Sequence, residues 1–229
     1  MIGQGAFEAT DPFTPQARHV AVVSGGSGDP SQTRMLAERM AEAASAALSE
    51  HGVVPEIHLI TLRELATDIA QAMVTFAVSP ALRAALDEVQ QADAVIAVSP
   101  TFKASYSGLF KSFWDLVDDE SLIGVPVLLG ATGGTARHSL MIDIALRPLF
   151  AYLKCRIVPT AVFAASDDWG EADGAQASTR TDPLRSRIRS AGRDLAEVLL
   201  NRPPRARAAA PETLDLEVTP FEQLLNPDA

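Results

Sequence analysis

Hydroxyl-bearing residues are concentrated in one short stretch near the start of the chain, where they could bind a phosphate group. Within residues 24–34 the hydrogen-bonding side chains include those of Ser24, Ser31, Gln32, Thr33 and Arg34. A terminal phosphate monoester has three oxygens that accept many short hydrogen bonds, so this composition favours it as a ligand. For this stretch alone, an ordinary helix-capping turn with surplus serines remains an open alternative.

The same stretch comes close to the glycine pattern of a dinucleotide-binding loop but departs from it at the third glycine. Gly26 and Gly28 fill the first two positions, and Ser31 stands where a glycine is needed for close helix–strand packing. The first candidate acidic residue on the next strand, Glu56, lies about ten residues too far along the chain. We therefore interpret the stretch as a site for a terminal phosphate.

A second stretch, residues 99–108, has the composition expected of a site for a flat heteroaromatic ring. It combines an aromatic side chain, a cation and small residues: Pro100, Thr101, Phe102, Lys103, Ala104 and Ser105. The aromatic can stack on one side of a ring, and the small residues leave backbone N–H groups accessible to its edge. The alternative is that Phe102 only covers the edge of a sheet.

A third stretch, residues 131–138, carries adjacent glycines that let the backbone pass close to a planar ligand. Its candidate binding residues are Thr132, Gly133, Gly134, Thr135, Arg137 and His138. An ordinary turn at the two glycines is the alternative, and His138 could be only a polar residue at the start of a helix. Three such stretches at three strand ends favour a ligand site over three unrelated turns.

The elements that must position these stretches are apolar strands alternating with amphipathic helices. Strands are predicted at residues 18–24, 56–62, 94–99, 125–130 and 156–163. Helices are predicted at 31–51, 80–91, from 107 to about 117, 139–153 with a kink or interruption at Pro148, and 183–201. This alternation predicts an α/β fold with a five-stranded parallel sheet in the order 2-1-3-4-5 and helices on both faces. The three stretches then meet beyond the carboxyl ends of the strands.

Composition narrows the classes of ligand. The 229 residues carry a net charge of −10, which disfavours a nucleic-acid backbone or an anionic membrane as partner. The single cysteine, Cys155, excludes an internal disulfide, and we expect it to be a buried, unreactive thiol. The four histidines form no closely spaced pair, so no metal site is expected. No signal peptide or membrane-spanning run is found in the sequence, and we expect a cytoplasmic protein.

The chain is expected to hold one domain with a tail at each end. Residues 18–200 form the predicted domain, residues 1–17 the first tail, and residues 201–229 an extended second tail rich in proline. Within the second tail, residues 221–225 could form one docking turn of helix. Trp169 lies in a long loop after the last strand and could cap the ligand crevice or lie in a subunit interface.

Taken together, the stretches resemble a known enzyme family. The similarity runs through residues 30–34, 100–111, 131–140, 146–153 and 164–170, and it covers roughly residues 18–200. These segments resemble the NADPH-dependent FMN reductases of the flavodoxin-like fold, and specifically an actinobacterial-type branch that partners luciferase-like monooxygenases. The broader family often has an arginine in the first loop, where this chain has residues 25–28 as Gly-Gly-Ser-Gly.

The resemblance implies a role for each stretch. The FMN phosphate would lie at Ser24, Ser31, Gln32 and Thr33 with Arg34 as added charge, the isoalloxazine ring at residues 100–105, and the third flavin loop at residues 132–135. Arg137, His138 or Lys103 would meet a phosphate of NADPH (or NADH). Hydride would pass from the nicotinamide to FMN, with backbone N–H groups of residues 101–105 or 132–135 stabilising negative charge on the ring. No catalytic side chain is expected.

The resemblance also implies partners and leaves two alternatives open. Reduced flavin would go to a partner monooxygenase, and the chain would form a homodimer or homotetramer. One alternative is a quinone or azo reductase that holds FMN tightly. The other is a flavodoxin-type electron carrier with no enzymatic activity, although such a carrier would not need the long tails.

Overall fold

A parallel sheet forms the middle layer of the computed structural model, which describes residues 17–169 and 183–205. Its strands are β1 (Ala17–Ser24), β2 (Val54–Thr61), β3 (Ala94–Phe102), β4 (Ser105–Tyr106), β5 (Pro126–Gly133), β6 (Arg156–Ile157) and β7 (Val162–Ala165). They run in the order β2-β1-β3-β5, with both β6 and β7 paired in parallel to β5. The predicted α/β fold and its 2-1-3-4-5 order are confirmed, with β6 and β7 together in the fifth position.

The fifth strand differs from the prediction because it is split. A single strand was expected over 156–163, and the ladder is interrupted after Val158, whose N–H still bonds to the Val127 carbonyl at 2.9 Å. Pro159 follows at the break. Because proline has no N–H to donate, it cannot continue a ladder of hydrogen bonds.

In the described part of the chain, six α-helices cover the two faces of the sheet. They are α1 (Gln32–Ser49), α2 (Ala66–Thr75), α3 (Pro80–Gln91), α4 (Gly108–Trp114), α5 (Arg147–Tyr152) and α6 (Pro183–Leu200). Helices α1 and α6 pack over Val20, Val22 and Val98 on one face. Helices α2 to α5 cover the other face, where Phe110, Phe113, Trp114 and Phe150 form an aromatic cluster.

Helix α2 had no counterpart in the prediction, and the predicted helix over 139–153 is built differently. Its middle is a π-helix over Ile142–Leu146 that leads into α5. Pro148 lies in the first turn of α5, directly after the π-helix, so the regular α-helical pattern is interrupted near it, which is one of the two predicted effects. Proline has no N–H to donate and its ring clashes with the preceding turn, so α-helical hydrogen bonds cannot continue unchanged across it.

The described residues reach past the predicted end of the domain at residue 200. Arg205 donates hydrogen bonds to the carbonyl oxygens of Gln90, Ala92 and Ser121, at 2.8–3.0 Å. Its guanidinium therefore ties this end of the chain to the sheet and its loops. The predicted docking turn at 221–225 and most of both tails lie outside the described residues.

Within residues 17–169 and 183–205, no single helix is long and apolar enough to cross a membrane. One sharply bent helix pair, residues 62–75 with 80–91, passes the same test of length and composition.

Candidate functional site

The three predicted stretches meet at one edge of the sheet, because β1, β3 and β5 are neighbours that run in the same direction. In the register of the sheet, Ser24 pairs with Val98, and Pro100 pairs with Thr132. The carboxyl end of each strand therefore opens onto a common crevice, as expected for an α/β sheet of this order. Both β3 and β5 run further than predicted, so Thr101, Phe102, Thr132 and Gly133 lie on strand ends and not in loops.

The first and third stretches touch directly through two buried threonines. The Oγ1 atoms of Thr33, in the first turn of α1, and Thr132, on β5, are 2.8 Å apart. Either hydroxyl can donate, so only one of the two hydrogens lies between the oxygens. The other hydrogen is available to a ligand in the crevice.

Ser24 supplies the clearest sign of a missing ligand atom. Its side chain is fully buried at the end of β1, and its Oγ has no hydrogen-bond partner among the described residues. A buried hydroxyl without a partner costs about 1–3 kcal/mol, and such groups in native proteins usually have an explanation. A phosphate oxygen in the crevice would be that partner.

The chain between Ser24 and α1 is folded tightly over the start of the helix. A Cβ at Gly26 would lie 2.2 Å from Ser31 Oγ, so no side chain fits there. Ser31 is the N-cap of α1, and its Oγ accepts the N–H of Arg34 at 3.2 Å. The first N–H groups of α1 and the positive end of its dipole therefore face this loop, which is a typical arrangement for binding an anion.

Gly25 anchors the same loop to the second stretch. Its N–H donates to the Val98 carbonyl at 2.8 Å, and its carbonyl accepts the Ser107 hydroxyl at 3.3 Å. Ser107 is also the N-cap of α4, with its Oγ accepting the N–H of Phe110. Buried Ser99 links these parts, because its Oγ accepts the Ser107 N–H and donates to the Pro100 carbonyl. These supporting roles of Gly25, Ser99 and Ser107 were not predicted.

The second stretch forms a β-hairpin. Phe102 pairs with Ser105 across an antiparallel turn, and the two central residues, Lys103 and Ala104, have φ angles of 51° and 64°. Positive φ at both positions is the geometry of a type I′ turn, which normally has asparagine or glycine. The absence of those residues explains why the sequence did not indicate a hairpin. Phe102, at the base of the hairpin, is half exposed.

Thr101 and the third stretch lie side by side next to this hairpin. Thr101 Oγ1 is buried without a hydrogen-bond partner in the described part of the chain. A Cβ at Gly133 would lie 3.4 Å from that oxygen and 2.8 Å from the Phe163 ring, so a side chain is disfavoured here. The backbone at Gly133 is therefore not covered by a side chain of its own. A bare backbone beside an unpaired hydroxyl suits the edge of a planar ligand.

The remaining predicted residues lie at the rim of the crevice. Gly134, Thr135, Arg137 and His138 are exposed, the last two in a 3₁₀ turn over Ala136–His138. Gln32 is exposed at the start of α1. Their exposure leaves them accessible to a second, solvent-facing ligand.

Arg34 is already engaged by its own helix. Its Nε donates to Glu38 Oε1 at 2.8 Å, and this hydrogen bond raises the pKa of Arg34 above its ordinary value. Both side chains are exposed, so this ion pair contributes little to stability. With Arg34 paired in this way, hydroxyl groups and the start of α1 remain as the main donors for a phosphate.

Trp169 ends the 3₁₀ turn that follows β7. Its ring packs against the apolar cluster beneath α1 and α6, with the Arg39 guanidinium carbon 5.0 Å from the ring centroid. Cavities of about 270, 600 and 410 Å³ also lie along α1. The candidate site itself is an open crevice at the strand ends.

These residues fit FMN at the edge where the resemblance places it. The fit rests on the unpaired, buried Ser24 hydroxyl at the start of α1 and on the bare backbone at Gly133 beside Thr101. The Ser24 hydroxyl at the start of α1 suits a phosphate, and the backbone at Gly133 beside Thr101 suits the edge of a ring. The structure brings the three stretches together.

Comparison with known proteins agrees with this geometry. An NADPH-dependent FMN reductase of Pseudomonas aeruginosa is 35% identical over 80% of this chain and 90% of its own length. The NADH-dependent FMN reductase SfnF of Pseudomonas fluorescens is 38% identical over 75% of this chain and 87% of its own. Among solved structures, an oxidoreductase of Corynebacterium diphtheriae has a TM-score of 0.73 and 38% identity, covering 82% of this chain and 99% of that one.

The family assignment rests on a match over most of the domain. The sequence profile of the family described as NADPH-dependent FMN reductase matches residues 18–170. This range contains all three stretches and every described strand of the sheet except the first residue of β1. The chain therefore belongs to the NADPH-dependent FMN reductase family, and the expected enzyme class, an oxidoreductase that uses FMN and NAD(P)H, is confirmed.

Proposed function

We propose that this chain transfers hydride from NADPH to FMN and hands the reduced flavin to a partner monooxygenase. The observation that carries the flavin site is the buried, unpaired hydroxyl of Ser24 beside the Thr33–Thr132 pair. When bound, FMN supplies a ring that accepts hydride, and the chain's part is to bind and orient its ligands.

The phosphate is held by hydroxyl groups and the start of α1. Ser24 donates its free hydroxyl, and the Thr33–Thr132 pair donates its one available hydrogen. Ser31 Oγ accepts an N–H from its own helix, so its hydrogen can also reach an anion. Gln32 and the first N–H groups of α1 complete the set of donors. This arrangement explains how the loop can function without the arginine seen elsewhere in the family.

The hairpin would hold the ring. Phe102 offers an exposed aromatic side chain, and backbone N–H groups of the turn at Lys103 and Ala104 would serve the ring edge. Thr101 Oγ1 and the bare backbone at Gly133 meet the ring edge. Donors placed there stabilise negative charge that develops on the ring during reduction.

The nicotinamide nucleotide occupies the open side of the crevice. Arg137, His138 and Lys103 are exposed cations or potential cations at its rim and would meet the nucleotide's phosphates. Related proteins carry names with either nucleotide, NADH for SfnF and NADPH for the Pseudomonas aeruginosa enzyme. We propose NADPH here because Arg137 adds a charge-assisted partner for an extra phosphate.

The test is NADPH oxidation by purified protein stripped of flavin. We expect a rate that rises with added free FMN and saturates, and that is unchanged by adding a quinone. A rate that needs a quinone, together with FMN co-purifying at about one per chain, would support the quinone reductase instead. Flavin that is held but never reduced by NADPH or NADH would indicate an electron carrier.

The proposal extends to the partner and the assembly. We propose that the partner is a monooxygenase of the luciferase-like type and that this chain belongs to an actinobacterial-type branch of the family. The proposal also includes a cytoplasmic location and a homodimer or homotetramer. Support for the assembly comes from exposed apolar side chains following the third stretch, with Leu140 63%, Ile144 66% and Tyr152 75% exposed. A coupled assay with a flavin-dependent monooxygenase would test the transfer of reduced flavin.

A further inference from the structure

Two histidines and a glutamate meet at the opposite edge of the sheet from the crevice. His19 on β1 is in register with Glu56 on β2, and His58 is in register with Ala21. Positions 19 and 21 share a face of β1, and 56 and 58 share a face of β2, because side chains alternate along a strand. Ser24 lies five residues further along β1, about 16 Å away. The cluster is therefore separate from the flavin site.

The ligand atoms of this cluster are already close together. One ligand atom each from His19, Glu56 and His58 can be chosen so that all three lie within 4.8 Å of one another. His19 Nδ1 is 2.9 Å from Glu56 Oε2. In a tetrahedral set with bonds of about 2.0–2.2 Å, ligand atoms are about 3.3–3.6 Å apart, so a shift of roughly 1 Å suffices.

Helix α3 brings a carboxylate to one nitrogen of the His58 ring. Glu88 Oε2 is 3.3 Å from His58 Nδ1, and its side chain is 41% exposed. The other ring nitrogen, His58 Nε2, is buried without a hydrogen-bond partner among the residues that the structure describes. A buried imidazole nitrogen left unpaired is itself a sign of a missing ligand.

The backbone around the cluster is firmly held. Asp93 fixes His19 from the neighbouring loop: the His19 N–H donates to Asp93 Oδ2 at 3.0 Å, and the Asp93 N–H donates to the His19 carbonyl at 2.8 Å. Glu56 and His58 lie on the edge strand β2, and their side chains are 46% and 37% exposed. The site is thus built on rigid strands and open to solvent on one side, as entry of an ion requires.

We propose that His19, Glu56 and His58, the last through Nε2, bind a divalent transition-metal ion of the Zn²⁺ type, while Glu88 orients the His58 ring through Nδ1. Two imidazole nitrogens and a carboxylate suit zinc and its neighbours, and they do not suit Mg²⁺, which prefers an all-oxygen octahedral set. Sequence spacing did not indicate this site, because the histidines lie on different strands and only the parallel register brings them together. The bound ion would link β1 and the edge strand β2.

The test uses the full-length, untagged protein and Zn²⁺ itself. Equilibrium dialysis is expected to retain about one Zn²⁺ per chain in the presence of millimolar Mg²⁺. Zinc at about 100 times its Kd is expected to raise Tm by roughly 5–10 °C. His58→Ala and the milder Glu56→Gln are each expected to weaken Zn²⁺ binding at least roughly tenfold. The Tm of both variants without metal shows that they fold.

A matched control removes an imidazole elsewhere. His51 follows α1, with its Nδ1 2.9 Å from the Ala47 carbonyl, so His51→Ala leaves the cluster intact and should bind Zn²⁺ like the parent. If the cluster consists only of two separate histidine–carboxylate ion pairs, the protein will retain no zinc on dialysis. That result would overturn the proposal. Zinc that binds equally well to folded His58→Ala, Glu56→Gln and His51→Ala would also overturn it, by indicating adventitious binding to an acidic surface.

Discussion

At the scale of single residues, the flavin crevice depends on hydroxyl groups that the folded chain leaves partly unused. Ser24 is the clearest case, since its Oγ is fully buried and unpaired among the described residues. The Thr33–Thr132 pair shares one hydrogen and keeps another. Donors held ready in this way need no rearrangement when an anion arrives.

Removing the Ser24 hydroxyl should separate ligand binding from folding. Ser24→Ala is expected to weaken FMN binding by about 1.5–3 kcal/mol, because a hydrogen bond to a charged group is lost. The stability of the flavin-free protein should not fall, since the hydroxyl has no partner there. Fluorescence titration with FMN and urea unfolding measure the two quantities. Ser45→Ala, a change on α1 away from the crevice, is the control, and an unchanged FMN affinity in Ser24→Ala would contradict the site.

Cys155 illustrates a residue whose environment suppresses its chemistry. It packs partly buried against the core, and burial raises the pKa of its thiol to about 12. The thiolate is the reactive form, so this cysteine is inert at neutral pH, as the sequence led us to expect.

The same shift predicts a dependence of stability on pH. A raised pKa in the folded state means that the unfolded thiol loses its proton first, near 9.0, while the folded thiol keeps its proton to about 12. The stabilisation is therefore complete below pH 9 and is lost as the pH rises from 9 to 12. Relative to Cys155→Ala, the parent should lose at most about 1.4 kcal/mol of unfolding free energy between pH 9 and pH 10. Urea unfolding at both pH values measures this, and a constant difference between the two proteins would refute it.

At the scale of elements, the hairpin over Thr101–Tyr106 combines strain with function. Lys103 and Ala104 both have positive φ, a conformation that costs a residue with a side chain about 1–2 kcal/mol. Strained backbone of this kind is found where a site dictates the path of the chain. In the proposed site, this hairpin would supply N–H groups and an aromatic side chain to the ring.

Replacing the two central residues with the preferred pair should relieve this strain. Lys103→Asn with Ala104→Gly is expected to raise the unfolding free energy by about 1–2 kcal/mol, because asparagine and glycine favour a type I′ turn. Denaturant unfolding provides the measurement. Ala84→Gly on the exposed side of α3 is the matched control and should destabilise by about 0.5–1 kcal/mol. Destabilisation by the double change would mean that the turn is not strained.

Elements differed in how far the sequence could predict them. Strands β1, β3 and β5 are continuous apolar runs that were predicted as strands because they are buried on both faces, although β3 and β5 each extend three residues past their predicted ends. The split fifth strand and the start of α5 depend on Pro159 and Pro148, whose effect is set by their place in the ladder or the helix. The hairpin could not be found, because Lys103 and Ala104 carry no turn signal and are held by the surrounding crevice.

The candidate site could be predicted in outline but not in its contacts. Parallel order alone implies that the ends of β1, β3 and β5 meet, and the register of Pro100 with Thr132 agrees. The Thr33–Thr132 hydrogen bond and the pairing of Arg34 with Glu38 depend on how α1 rotates over the sheet. Side-chain partners of this kind are fixed by packing and are not visible in linear spacing.

At the scale of the whole molecule, apolar side chains remain exposed in the helical segment that follows the third stretch. Ile144, within the π-helix, is 66% exposed, and Tyr152 at the end of α5 is 75% exposed. Scattered exposed apolar residues are normal, but a group of them following one segment marks an interaction site. This group is the basis for expecting a second copy of the chain there.

A charge at the centre of this group should break the proposed assembly. Ile144→Asp is expected to shift the mass measured by light scattering from a dimer or tetramer to a monomer, because an unpaired carboxylate would be buried in the interface. The control is Ile123→Asp, at an isoleucine that is 50% exposed on the turn before β5 and outside this group. A parent protein that is already monomeric, or an unchanged mass in Ile144→Asp, would remove the support for this interface.

The contact between α1 and α6 has a consequence for how the chain folds during synthesis. Gly192 of α6 lies against the Ala43 and Ala44 backbone of α1, where a Cβ would come within 2.6 Å of Ala43. The two helices are separated by about 150 residues of sequence. The apolar stripe of α1 therefore stays uncovered on the ribosome until nearly the whole domain has emerged. At 5–20 residues per second this exposure lasts on the order of 10 s, so the nascent chain is a natural client for a chaperone.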